Sequence, residues 1–75
     1  DHNVLHRLLL LSILGAAGKT DEAILERDWL NIHAPALITN IRQEVALRLQ
    51  RPEDQERFLN GLRASGLVIP PLPAQ

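Results

Sequence analysis

Thr39, Asn40, Arg42 and Gln43 fall within one stretch of five residues, and their side chains are the kinds that read base edges in a DNA groove. Asn and Gln bond adenine through two contacts, Arg does the same for guanine, and Thr meets a thymine methyl or a phosphate. Arg48 and Arg51 follow later in the chain and, with Thr39, are candidates for phosphate contacts. Such a set works only if a helix presents it outward, with the N-terminal part of that helix leading into the groove.

Other residues with chemical potential point to structure. Gly18-Lys19-Thr20 imitates the end of a phosphate-binding loop, but that motif needs a glycine five positions before Gly18, where Ile13 stands. A helix stop followed by a helix start accounts for all three residues. His2 and His6 are four apart, a two-ligand metal spacing, yet a third ligand would have to be His33 or an acid that nothing places nearby. Ser12 and Ser65 have no adjacent histidine, and the carboxylates cluster at helix starts, where the helix dipole already favours them. The chain has no cysteine, which removes disulfides and thiolate metal sites and fits a reducing, cytoplasmic setting. These residues imply a binding module that is not an enzyme, with no metal, no cofactor and no small-molecule substrate.

The chain has 75 residues, 45% of them hydrophobic, with Trp29 and Phe58 the only aromatics and a formal net charge of -1. One core of Leu, Ile, Val and Ala is what such a length supports, and its stability is modest. The near-neutral charge supplies no broad field to draw the domain to nucleic acid. Leu8 to Leu14, preceded by His6 and Arg7, also has the outline of a signal-peptide core, but it is too short to span a bilayer and reads better as a core helix.

Four helices are predicted, over residues 4–17, 20–30, 35–50 and 52–65. The first is apolar almost all round and therefore central, with Asp1 or Asn3 as its cap, Gly18 as its left-handed stop, and His6, Arg7 and Ser12 facing water. Thr20 caps the second, where Ile24, Leu25, Trp29 and Leu30 point inward, and residues 31–34 form a connection. Pro35 opens the third, whose Ile38, Ile41, Val45 and Leu49 recur at helical spacing. Pro52 opens the fourth, and Gly66 with Leu67 closes it in a Schellman stop. Leu9, Ile13, Ile24, Ile41, Val45, Leu59 and Leu62 form the expected core. Pro70, Pro71 and Pro73 make the end extended or polyproline-like. The organisation is thus one all-α domain over residues 1–69, a compact bundle of about four short helices of helix-turn-helix type, and a Pro-rich C-terminal tail over 70–75.

Two partners suit this layout. An apolar first helix, the Thr20-Asp21-Glu22-Ala23-Ile24-Leu25 start of a second, and Asn40-Ile41-Arg42-Gln43-Glu44-Val45-Ala46-Leu47 resemble the helix-turn-helix and winged-helix transcription-regulator superfamily. Ala64-Ser65-Gly66-Leu67-Val68 also resembles the exit of a recognition helix in such domains. That resemblance implies DNA binding, transcription regulation and a homodimer, with Thr39, Asn40, Arg42, Gln43, Arg48 and Arg51 as contacts. The alternative is a helical adaptor, inhibitor or dimerisation module. The acidic opening Glu53, Asp54 and Glu56 would then dock onto another protein, and a second chain would cover part of the first helix.

Overall fold

A computed structural model describes residues 2–71, with side chains from Val4 onward. Five helices follow in order: α1 His2–Ala16, α2 Thr20–His33, α3 Pro35–Thr39, α4 Ile41–Arg48 and α5 Pro52–Ala64. No strand occurs among the described residues. The Cα radius of gyration is 11.6 Å, close to the about 11 Å expected of a compact chain of this length. Asp1, one of the two proposed caps of α1, and residues 72–75 of the tail lie outside the described residues, and Asn3, the other, falls inside α1.

The helix stops are as the glycines dictate. Gly18 has φ 73° and Gly66 φ 91°, the left-handed region that residues with a β-carbon avoid. At the end of α1, Gly18 N–H donates to Gly15 O and Lys19 N–H to Leu14 O; after α5, Gly66 N–H donates to Arg63 O and Leu67 N–H to Leu62 O. Both are Schellman motifs, and the second buries Leu67.

The starts differ more. Lys19, not Thr20, holds the N-cap position of α2, and no side chain caps that helix. Thr20 lies within the first turn, where its hydroxyl reaches back to Gly18 O at 3.5 Å. Asp21 and Glu22 supply the negative charge there. The second helix also runs three residues further than its spacing suggested. It ends at His33, and Ala34, whose N–H closes the last turn on Leu30 O, leaves the helical region with φ -139° and ψ 49°, as the following Pro35 disfavours helical backbone there.

The third predicted helix is two. Asn40, with φ -103° and ψ 21°, breaks the run between α3 and α4. Thr39 Oγ1 donates to Pro35 O at 3.0 Å and Asn40 Nδ2 to Ala36 O at 3.1 Å. Such side-chain bonds to the preceding turn compete with the helical ladder and bend it. The α4 helix then stops at Arg48, because Leu49 turns extended and its carbonyl accepts from Gln55 Nε2 at 2.7 Å.

The core forms where α1 packs against α5 and α2. Leu11, Leu30, Ile41 and Leu62 are fully enclosed, with Val45, Leu59, Leu8 and Ile38 around them. Expectation and structure part on α1. Leu9 and Ile13, expected inside, are 48% and 55% exposed, while Ser12, expected in water, is buried and donates to Phe58 O at 2.9 Å. Leu25 of α2, also expected inside, is 73% exposed, and Ile24 is only half-buried. The cause on α1 is a close approach: a β-carbon on Gly15 would strike Gly61 O, and one on Gly61 would strike Ser12 O. The backbones of α1 and α5 meet on the Ser12–Gly15 side, which turns Leu9 and Ile13 outward.

Candidate functional site

The polar residues proposed to read DNA are mostly engaged within the chain. Thr39 and Asn40 bond back to their own helix turn, as described. Arg42 is half-buried and its Nε donates to Pro70 O at 2.9 Å. Arg48 donates to Glu44 O at 2.8 Å and pairs with the Glu44 carboxylate at 3.1 Å. Gln43 and Arg51 have exposed side chains, and the Arg51 carbonyl accepts the N–H groups of Asp54 and Gln55 at the start of α5. Because Asn40 is the break between helices, Thr39 sits on α3 and Arg42 on α4, not on one continuous helix.

The acidic group opens α5 as its spacing required. Glu53 and Glu56 are exposed, Glu56 pairs with Arg63 at 3.4 Å, and Asp54 is half-buried. Gly18-Lys19-Thr20 is the helix stop and start that its sequence suggested. Among the described residues no three His, Cys, Asp or Glu side chains gather where a metal could bind. No helix among them is long and apolar enough to cross a membrane.

What the structure assembles instead is an apolar groove between α1, residue 49 and α5. It consists of two adjoining depressions, of about 380 and 290 Å³, that share Leu9, Leu49 and Phe58. Leu5 and Val45 line the first, and Ile13 and Ala16 extend the second. Leu5, Leu9, Ile13 and Ala16 recur every three or four residues, so α1 gives the groove one straight wall. Leu49 reaches the floor because the chain turns extended there, and Phe58 rises from α5 one turn after Asp54.

The rim carries charge of both signs. Glu44 and Arg48 pair with each other, whereas Asp54 and Arg57 flank the second depression and form no ion pair among the described residues. On α2 a separate cluster fixes the other side of α1. Arg7 lies 4.0 Å above the Trp29 ring and bonds Glu26 at 3.0 Å, and the His33 ring centroid is 4.6 Å from that of Trp29. Sequence reasoning placed Arg7 and Glu26 in water and did not foresee the pair. It foresaw the breadth of apolar surface on α1, which is the signal for the groove, but not its position.

The chain matches no family model, no curated protein and no solved structure.

Proposed function

We propose that this domain is a non-enzymatic protein-interaction module that pairs with a second copy of itself across the α1–α5 groove. The observation that carries this reading is the contiguous exposed apolar surface of Leu9, Leu10 and Ile13 beside the groove walls of Leu49 and Phe58. A folded monomer gains by covering such a patch. A standard interface takes about 800 Å² from each partner, a modest share of the 5247 Å² surface of this chain.

The rim favours a second copy as the occupant. In a two-fold contact each residue meets its counterpart's partner, so the surface must be complementary to itself. One unpaired acid, Asp54, and one unpaired base, Arg57, three residues apart on α5, meet that condition. Asp54 of one copy would face Arg57 of the other, twice. Two apolar α1 walls would pack between these pairs.

Sedimentation equilibrium at tens of micromolar tests the pairing. The expected result is a species of twice the 8.4 kDa chain mass. The double variant Leu9→Glu, Ile13→Glu changes two exposed positions and should sediment as a monomer with its helix content intact. A native chain that stays monomeric across the range overturns the proposal.

DNA binding through Asn40, Arg42 and Gln43, with Thr39, Arg48 and Arg51 on phosphates, is the second reading. Exposed Gln43 and Arg51 favour it, but the internal bonds of Thr39, Asn40, Arg42 and Arg48 would have to be given up on binding.

A further inference from the structure

The chain has four asparagines, and three of them precede a β-branched residue: Asn3 before Val4, Asn31 before Ile32 and Asn40 before Ile41. The fourth, Asn60, precedes Gly61. An asparagine side chain loses ammonia when the next residue's backbone nitrogen attacks its carbonyl carbon and closes a five-membered succinimide. Branching at the next Cβ crowds that approach, whereas glycine, with no Cβ, leaves it open. Asn60-Gly61 is therefore the asparagine pair whose sequence favours the reaction.

The fold requires the glycine of this pair and also keeps the reaction from starting. Gly61 is buried on the face of α5 that meets α1, where a β-carbon would strike the Ser12 carbonyl and hydroxyl. Glycine is otherwise unfavourable inside a helix, so the close approach is the reason it stands there. Within α5 the Gly61 N–H belongs to the helical hydrogen-bond ladder, which withholds its nitrogen from attack. The exposed Asn60 carboxamide is tied to the next turn, because its Oδ1 accepts from Arg63 Nη1 at 2.7 Å. Ring closure needs both restraints released, and that means an opened α5.

We propose that Asn60-Gly61 is a spontaneous deamidation site that α5 holds closed, and that its isoaspartate product makes an opening of α5 permanent. When α5 opens, the Gly61 nitrogen gives up its proton and bonds to Asn60 Cγ. The Cγ–Nδ2 bond breaks, and the amide nitrogen leaves as ammonia with that proton. One water then hydrolyses the succinimide, with no oxidant or reductant involved. Cleavage at one ring carbonyl gives aspartate, whose carboxylate takes over the bond to Arg63. Cleavage at the other gives isoaspartate, which adds a methylene to the main chain directly before Gly61. That insertion breaks the helical repeat and moves Gly61 off its contact with Ser12 and Gly15, so this product does not refold. Neither Asn60 nor Gly61 lines the α1–α5 groove, and the proposal is independent of self-pairing.

The test ages the full chain in mildly alkaline buffer, folded and in guanidinium chloride, and follows each asparagine by peptide mass. In guanidinium the peptide holding Asn60 should gain the mass of amide-to-acid exchange well ahead of those holding Asn3, Asn31 and Asn40. In the folded chain the same gain should be at least about tenfold slower, because only the open fraction reacts. The deamidated chains, separated by their added charge and returned to native buffer, should divide into aspartate forms that regain helix content and isoaspartate forms that do not. Asn60→Asp has the added charge without the added methylene and should fold as the parent does. No preferential gain at Asn60 in guanidinium overturns the site assignment. An equal rate in the folded chain overturns the gating by α5. Isoaspartate chains that regain full helix content, or an Asn60→Asp chain that does not, overturn the permanent opening.

Discussion

Gly15 and Gly61 meet backbone to backbone where α1 packs on α5, each leaving no room for a β-carbon against the other helix. This contact sets the rotation of α1 about its own axis. Gly15→Ala is accordingly expected to destabilise the fold by about 1–3 kcal/mol, as overpacking does, although alanine is favoured over glycine within a helix by about 1 kcal/mol. Urea unfolding measures the difference, and a more stable Gly15→Ala would show that the helices do not meet there.

Leu11 and Ile13 make a second comparison on the same helix. Leu11 has no exposed surface, and Ile13 is 55% exposed. Leu11→Ala should cost about 2–5 kcal/mol, and Ile13→Ala about 0.5 kcal/mol or less, as at surface positions generally. Equal losses in thermal unfolding at a concentration where the chain is monomeric would place Ile13 in the core after all.

The rim charges give a test of the two-fold contact. Asp54→Arg alone sets like charges against each other across the axis and should shift the monomer–dimer equilibrium toward monomer. Adding Arg57→Asp restores opposite signs and should return the dimer. Each exposed pair is worth about 0.2–1 kcal/mol, and a two-fold contact contains it twice, so the shift should be several-fold and should shrink in high salt. A double variant that stays as weak as the single one would remove the Asp54–Arg57 pairing.

Arg7 and Trp29 should be readable by fluorescence, because the chain has one tryptophan. Arg7→Ala removes the cation from the ring face and the bond to Glu26. The emission of Trp29 should change and stability should fall by about 0.5–1 kcal/mol. An unchanged spectrum would mean that Arg7 does not stack on the ring in solution.

The DNA reading has its own measurement. Titration of the labelled chain with random-sequence duplex at low salt should leave the amides of Ala36 to Gln43 unmoved if those side chains stay bonded within the chain. Non-specific binders respond under such conditions because phosphate attraction needs no cognate site. Progressive shifts confined to Ala36–Gln43 would establish DNA binding instead.

The sequence by itself determined the glycine stops, the proline starts and the amphipathic phase from Ile38 to Val45 and along α5. Gly18 and Gly66 stop helices because only glycine takes their φ readily, and Pro35 and Pro52 start them because a first-turn residue has no need of its N–H. Ile38, Ile41 and Val45 are buried as their spacing required, since one stripe against polar neighbours has a single way to face a core. On α1 that logic had nothing to act on. Leu5, Leu8 to Leu11, Ile13 and Leu14 leave no polar face to set the phase, so burial of Leu9 and burial of Leu8 were equally good by local pattern. Only the close packing of Gly15 on Gly61, partners 46 positions apart in the chain, decided it. The break at Asn40 was hidden for the opposite reason: the apolar stripe runs through it unbroken, and the bonds of Thr39 and Asn40 to their own turn do not alter that period. The groove follows from both, because its α1 wall is the stripe that the Gly15–Gly61 contact turned outward and its floor is the Leu49 that the early end of α4 released.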